Sequence, residues 1–142
     1  MKKALMAIVL LSVFFGCKKS DNPGGVTLVG KWHLIADTVQ TYTAGALVKT
    51  ETGSNTKAGY SDLQFYRTGE FDIYNTETYA NKPTYTSSES SLTLSYPASE
   101  AGAPARTQNV TIKALTETRL LLYYPPVSTN GQAITFDFVK LN

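Results

Sequence analysis

Apolar and polar residues alternate along most of the chain that follows residue 27. An alternation with a period of two is typical of β-strands that bury one face, and apolar residues at helical spacing are nearly absent from this region. The pattern therefore predicts an all-β fold of about eight or nine short strands. The predicted strands are 28–39, 46–51, 63–67, 71–74, roughly 79–86, 92–96, 110–113, 120–124 and 134–139.

Turn signals separate these strands. Thr68-Gly69 divides a hairpin, and loops rich in Gly, Pro, Ser, Thr, Asn or Ala fill 52–60, 97–106 and 125–131. Short strands with turns at this spacing build either a sandwich or an antiparallel barrel. Our fold prediction is one small antiparallel β-barrel of about eight strands that spans residues 28–142.

One face of each strand is apolar and is predicted to face the barrel interior. This inward set is Trp32, Leu34, Leu63, Phe65, Phe71, Ile73, Leu92, Leu94, Val110, Ile112, Ile134, Phe136 and Phe138. The candidates for a ligand-binding lumen are Leu63, Phe65, Phe71, Ile73, Leu94, Ile112, Phe136 and Phe138. No charged side chain is predicted on this face, so a ligand held there would be apolar. It would enter at a rim near 52–60 or 97–106.

The N-terminus has the three parts of a secretory signal peptide. Two lysines precede an apolar run from Ala4 to Phe15, and a small residue, Gly16, stands before Cys17. Phe14-Phe15-Gly16-Cys17 resembles a bacterial lipobox, which implies removal of 1–16, acylation of Cys17 and attachment to a membrane through the acyl chains. The alternatives are an ordinary secreted protein with a free thiol and a retained anchor helix.

The polar residues that follow are predicted to form a tether over 17–27, with Cys17 as its first residue. Lys18 stands where an aspartate retains many lipoproteins at the inner membrane, so the resemblance implies the outer membrane of a Gram-negative cell envelope. Asp37-Thr38-Val39 resembles an O-glycosylation triplet of some secreted bacterial proteins.

The composition and the net charge exclude several classes of function. The chain has 13 lysines and arginines against 11 aspartates and glutamates, and the excess lies at Lys2 and Lys3 in the predicted signal peptide. A neutral mature chain lacks the basic stripe that nucleic-acid binding needs. One cysteine and one histidine cannot build a Cys/His zinc site, and no metal or cofactor is expected.

Candidate catalytic residues are few. His33 is the one imidazole of the chain, and alternation places it on the opposite face from Trp32, towards solvent. Glu70 and Asp72 form a carboxylate pair on one hairpin, but solvated acidic residues are the commoner outcome on an outer face. We therefore expect a protein that is not an enzyme.

A family resemblance rests on three segments. Val29-Gly30-Lys31-Trp32-His33-Leu34, the hairpin at 65–71 and the segment 112–120 together resemble bacterial lipocalin-like lipoproteins, with Gly-x-Trp as the signature. The resemblance implies that Gly30 and Trp32 close one end of the barrel beneath a late-strand arginine, for which Arg119 is the candidate. It covers about residues 28–142.

Two functions remain open at this point. The first is a monomeric barrel that binds a small apolar ligand in its lumen. The second is a barrel filled by its own side chains, which works as a surface interaction or accessory module with an envelope protein as its partner. Tyr66, Tyr74, Tyr123 and Tyr124 are the candidates for a contact surface in the second case.

Overall fold

The computed structural model describes residues 26–53, 62–73, 79 and 81–142, and this part of the chain is all-β. The prediction of an all-β fold is confirmed. The strands are β1 (Gly30–Thr43), β2 (Ala46–Gly53), β3 (Asp62–Phe65), β4 (Phe71–Ile73), β5 (Thr84–Ser87), β6 (Ser91–Tyr96), β7 (Arg106–Leu115), β8 (Arg119–Tyr124) and β9 (Gln132–Leu141).

The strands form one antiparallel sheet that curls into a nearly closed barrel. Eight strands follow the order β4-β3-β1-β9-β8-β7-β6-β5, and the two end strands, β4 and β5, approach each other. An isolated bridge joins Glu70 to Thr84. The Phe71 N–H donates to the Pro83 carbonyl at 2.9 Å, and the Tyr85 N–H donates to the Gly69 carbonyl at 2.7 Å. The antiparallel barrel of about eight strands is therefore confirmed.

Strand β2 lies outside this circuit. The first residues of β1 pair with β3, whereas the later residues, from Asp37 to Thr43, pair with β2. On its other edge β1 pairs with β9 along nearly its whole length. The β1–β2 hairpin consequently extends past the barrel wall, and every residue of β2 except Gly53 is exposed.

A β-bulge in β1 reverses the alternation of the strand. The β1–β9 register shifts between Leu34 and Ala36, which leaves Ile35 exposed. Asp37 then pairs with Phe136 and is buried. The prediction that no charged side chain lies on the inner face is therefore wrong, because an extra residue in a strand moves all later residues to the other face.

The core contains the predicted inward set. Its members are buried, except Ile73 and Ile134, which are half-buried and pack against the core. Aromatic contacts reinforce it: the ring centres of Phe65 and Tyr85 are 4.9 Å apart, and those of Phe71 and Tyr96 are 5.5 Å apart. Leu28, Tyr96, Leu120, Leu122 and Ala133 are also buried and were not in the predicted set.

The strand boundaries differ from the predictions at two main places. Strand β7 begins at Arg106, inside the segment 97–106 that was predicted as a loop, and β5 begins at Thr84, later than predicted. Cys17, the signal peptide and most of the tether lie outside the described residues, as do Tyr74 and most of the loop 52–60. Among the described residues, no helix is long and apolar enough to span a membrane.

Candidate functional site

One end of the barrel is closed by Trp32. The indole is fully buried, and its Nε1–H donates to the Leu28 carbonyl at 2.7 Å, so the chain that precedes β1 lies beneath the ring. Lys140 pairs with Trp32 across β1 and β9, and its Nζ lies 5.2 Å from the ring centre. This cation–π contact covers the indole at the rim of the barrel.

Gly30 makes room for the lysine. Its φ of 137° favours glycine, and a Cβ at this position would lie 2.6 Å from the Cε atom of Lys140. Residues two apart on a strand lie on the same face. The Gly-x-Trp spacing therefore puts Gly30, which leaves space for Lys140, on the same face as Trp32, which Lys140 covers.

The cation over Trp32 is therefore Lys140, and the assignment of this place to Arg119 is wrong. The Arg119 side chain is exposed and forms two bonds with Asp137, from Nε to Oδ1 at 2.8 Å and from a terminal nitrogen to Oδ2 at 2.6 Å. These bonds raise the pKa of Arg119. Because the neighbouring Leu120 is buried, alternation places Arg119 on the outer face.

A cavity of about 230 Å³ lies at the opposite end of the barrel. It is bounded by the end of β8, the beginning of β9 and the loop between them, which is the end where β1 leaves the barrel. Its lining residues are Leu63, Ile73, Tyr96, Gln108, Tyr124, Pro125, Val127, Gln132, Ile134, Phe136 and Phe138. The side chains of the described residues therefore leave part of the interior unfilled.

Apolar side chains line the inner part of the cavity, and both polar and apolar side chains line its mouth. Leu63 and Phe138 are buried, whereas Gln108, Gln132 and the fully exposed Val127 stand near solvent. The ring of Tyr124 meets Phe136 edge-on with the centres 5.2 Å apart. Such a site buries an apolar group and offers polar atoms at the entrance.

Half of the predicted lumen candidates line this cavity, namely Leu63, Ile73, Phe136 and Phe138. Phe65 and Phe71 lie at the closed end, since Phe65 pairs with Gly30 and Phe71 pairs with Phe65. Leu94 and Ile112 are buried in the core. The strands run from one end of the barrel to the other, so one inner face supplies both core and cavity residues.

Among the described residues, the loop 125–131 borders the mouth of the cavity. Most of the loop 52–60, which was predicted to flank the entrance, lies outside the described residues, and the loop 97–106 joins β6 and β7, each of which contributes a lining residue. The Tyr42 and Gly45 N–H groups donate to the Gly131 and Thr129 carbonyls, each at 2.9 Å. The Ala44 N–H donates to the Asn130 side-chain oxygen at 2.6 Å. The β1–β2 turn therefore holds this loop in place at the mouth.

Sequence reasoning missed the mouth residues Tyr96, Gln108, Pro125, Val127 and Gln132. Pro125-Pro126 marked the loop, but nothing in the local pattern shows which loop of a barrel stands beside an opening.

Asp37 is the buried charged residue of the described chain. It is 4% exposed, and its Oδ1 atom has no hydrogen-bond partner among the described residues. Gly53 pairs with it on β2, where a Cβ would lie 2.9 Å from Oδ1. The Asp37 carboxylate therefore occupies space that a side chain at position 53 would fill.

The candidate catalytic groups lie apart from the cavity. His33 is exposed, as predicted, and its Nδ1 lies 2.7 Å from Oδ1 of Asp62, while Lys31 Nζ lies 3.1 Å from Oδ2. Burial opposes the ionisation of Asp62, but the bonds from His33 and Lys31 outweigh it, so the pKa of Asp62 lies below its usual value.

Glu70 and Asp72 also have local partners. The Thr68 hydroxyl donates to Glu70 at 3.1 Å, and the Tyr66 hydroxyl donates to Asp72 at 2.6 Å. Both carboxylates thus take part in the hydrogen bonding of their own hairpin.

The three described tyrosines of the predicted contact surface do not share one surface. Tyr66 and Tyr123 lie under Lys82 and Lys113, with the ammonium nitrogens 4.8 Å and 4.9 Å from the ring centres. Tyr124 lines the cavity instead. Consecutive residues of a strand point to opposite faces, so Tyr123 and Tyr124 cannot form one contact patch.

Within the described ranges, no three acidic, histidine or cysteine side chains are grouped closely enough to hold a metal ion. No known protein family, curated protein or solved structure matches the chain.

Proposed function

We propose that the barrel binds a small apolar ligand in the cavity at its open end, and that the protein acts by binding, not by catalysis. The observation that carries the proposal is the cavity of about 230 Å³ walled by Leu63, Ile73, Phe136 and Phe138. An apolar cavity of about 150 Å³ in another protein takes up benzene, so this volume suits a ring or a short alkyl chain.

The affinity is expected to be modest. A ligand gains about 25 cal/mol for each Å² of apolar surface that it newly buries, and association costs reduce this gain. Because the cavity is small and open at one side, we propose a dissociation constant in the micromolar range or weaker.

We further propose a lipoprotein of the lipocalin-like kind, anchored through acyl chains on Cys17 to the outer membrane. The lipobox-like sequence and Gly30-Lys31-Trp32 support this. The chain enters the barrel at the closed end, where Leu28 lies beneath Trp32. An anchor on Cys17 would then hold the closed end nearer the membrane, with the cavity mouth at the far end.

A test uses a dye whose fluorescence rises in apolar surroundings, titrated into the purified protein. Ile134→Trp places a larger side chain in the cavity and should weaken dye binding at least about tenfold, a loss of about 1.4 kcal/mol. Ile35→Trp is the matched control, because Ile35 is exposed on the outside of β1. Equal binding by both variants, or no saturable binding by the natural protein, would refute the proposal.

A second candidate is a surface interaction module, and the exposed strand β2 favours it. Leu47 and Val48 are 51% and 59% exposed, so the hairpin presents two neighbouring apolar side chains to solvent. An edge strand of this kind can pair with a strand of an envelope protein. Leu47→Asp with Val48→Asp should abolish such an association and leave dye binding unchanged.

A further inference from the structure

Strand β2 has one edge that pairs with no strand among the described residues. Its other edge pairs with β1, and every residue of β2 except Gly53 is exposed. The free edge of a sheet presents a row of backbone N–H and C=O groups with which a further strand can pair. β2 is eight residues long and contains no proline, so no backbone donor is missing from this edge.

The charges of β2 cancel, although a lysine on an edge strand usually keeps a second strand away. The strand contains one lysine, Lys49, and one acidic residue, Glu51. The exposed apolar residues Leu47 and Val48 precede them. A second strand with the same sequence would therefore meet apolar side chains and no excess of like charge.

Lys49 and Glu51 form an ion pair on the surface of the strand. The Nζ atom of Lys49 lies 3.0 Å from Oε1 of Glu51, and more than half of each side chain is exposed. Residues two apart in a strand point to the same face, so both charges are available on one face of the hairpin.

The order of these residues makes β2 complementary to itself. In an antiparallel pair of two β2 strands centred on Thr50, each Lys49 lies opposite Glu51 of the other copy. Opposite charges at directly opposed positions stabilise a strand pair, and like charges destabilise it. The two ion pairs within the chains and the two between them would form a ring of four alternating charges.

The same register satisfies the symmetry of a dimer. A twofold axis that passes through the Thr50 pair gives both copies identical contacts, as in most homodimers. A parallel in-register pair would instead place each Lys49 beside the Lys49 of the other copy, so the charges favour the antiparallel arrangement.

We propose that two copies of this chain associate through β2, and that the strand on the free edge is β2 of the second copy, antiparallel and centred on Thr50. This inference goes beyond the proposed binding function and does not depend on the cavity. The dimer occupies the edge that the second candidate function leaves to an envelope protein.

The test is the mass of the purified full chain in detergent, measured by size-exclusion chromatography with light scattering up to the millimolar range. The natural chain should approach the mass of two copies as its concentration rises. Lys49→Glu turns both opposed pairs into pairs of like charge, and Glu51→Lys does the same. Each variant should raise the dissociation constant of the dimer about tenfold or more.

Combining the two substitutions separates the register from a general effect of charge. The chain that carries both Lys49→Glu and Glu51→Lys has the net charge of the natural protein and opposed charges of opposite sign again, so it should dimerise like the natural protein. An equimolar mixture of the two single variants should form a heterodimer for the same reason. Glu117→Lys, in the exposed turn between β7 and β8, is the matched control and should leave the dimer unchanged.

Three results would overturn the proposal. They are a natural chain that stays monomeric at every concentration, single variants that dimerise as well as the natural protein, and a doubly substituted chain that stays monomeric although its circular dichroism spectrum is that of the natural protein. The first result is decisive even if a variant does not fold. A monomeric natural chain that still binds the apolar dye would leave the proposed function of the cavity standing.

Discussion

Trp32 closes the barrel through contacts on several sides of one ring. Its N–H bonds to the Leu28 carbonyl, Lys140 lies over its face, and the rest of the indole is surrounded by the core. The hydrogen bond explains why a polar atom is tolerated in a fully buried position.

Replacement of this ring should be costly. Trp32→Ala should lower the free energy of unfolding by about 3–5 kcal/mol, the usual range for a large aromatic residue removed from a core. Urea denaturation followed by circular dichroism measures this value. Tyr123→Ala, which removes a half-buried ring from the outer face of β8, serves as the control and should cost much less. A loss below about 1 kcal/mol for Trp32→Ala would show that the ring does not hold this end together.

Asp62 provides a pH-dependent contribution to stability at the residue scale. Its pKa is lowered from 3.8 because the bonds from His33 and Lys31 outweigh the effect of burial. A lowered pKa in the folded state stabilises the fold when the carboxyl is ionised, and this contribution disappears as the pH falls through the folded-state pKa.

Asp62→Asn should therefore reduce stability at pH 7 by up to about 1 kcal/mol, because a partly exposed ion pair contributes little. The difference between the two proteins should shrink as the pH falls below 3.8, the usual value of the group. Thermal unfolding at a series of pH values measures it. A difference that grows towards acid pH would contradict the assigned contacts.

At the scale of the elements, the alternation of apolar and polar residues was sufficient to predict most of the strands. Every predicted strand has a counterpart. Most of these segments bury one face against the core, as a period of two predicts, and β2 is the exception, since all its residues except Gly53 are exposed. In β6 and β8, for example, Leu92, Leu94, Leu120 and Leu122 are buried at alternate positions. The turn at Thr68-Gly69 was also predictable, since Gly69 has a φ of 85°.

The bulge in β1 could not be predicted from the alternation. Ile35 and Ala36 are both apolar, so the sequence shows no break at the point where one residue is added to the strand. The position of Asp37 on the inner face follows from that addition. The mouth of the cavity depends on which loops meet at one end of the barrel, and this is a property of the tertiary structure.

Strand β2 is the element that contributes least to the core. All its residues except Gly53 are exposed, and its described pairing is with β1 alone. Leu47→Asp with Val48→Asp should therefore change the free energy of unfolding by no more than about 0.5 kcal/mol, as for most exposed positions. Chemical denaturation of the double variant tests this expectation. A loss of several kcal/mol would show that β2 is packed against other parts of the protein.

At the scale of the whole molecule, the two ends of the barrel differ in role. The closed end holds Leu28, Trp32 and Lys140, and the chain N-terminal to β1 leaves from this end. The open end holds the cavity and the loop 125–131, which bonds to the β1–β2 turn. If the protein is anchored through Cys17 as proposed, the mouth of the cavity faces away from the anchor.

The anchor itself is testable in a Gram-negative host. Cys17→Ala should move the full chain from the membrane fraction to the soluble fraction, or leave it unprocessed, because no acyl chain can be attached. Cell fractionation and the mass of the product measure both outcomes, with Ser20→Ala as the control. Membrane retention and an unchanged mass in Cys17→Ala would refute acylation.

The central claim is that the open end of the barrel holds an apolar ligand, and a crystal structure with 8-bromo-octan-1-ol tests it most directly. The anomalous signal of bromine locates the alkyl chain independently of its weak density. The account predicts a bromine peak inside the cavity, among Leu63, Ile134, Phe136 and Phe138. A cavity closed by side chains, or bromine peaks on the outer surface alone, would contradict it.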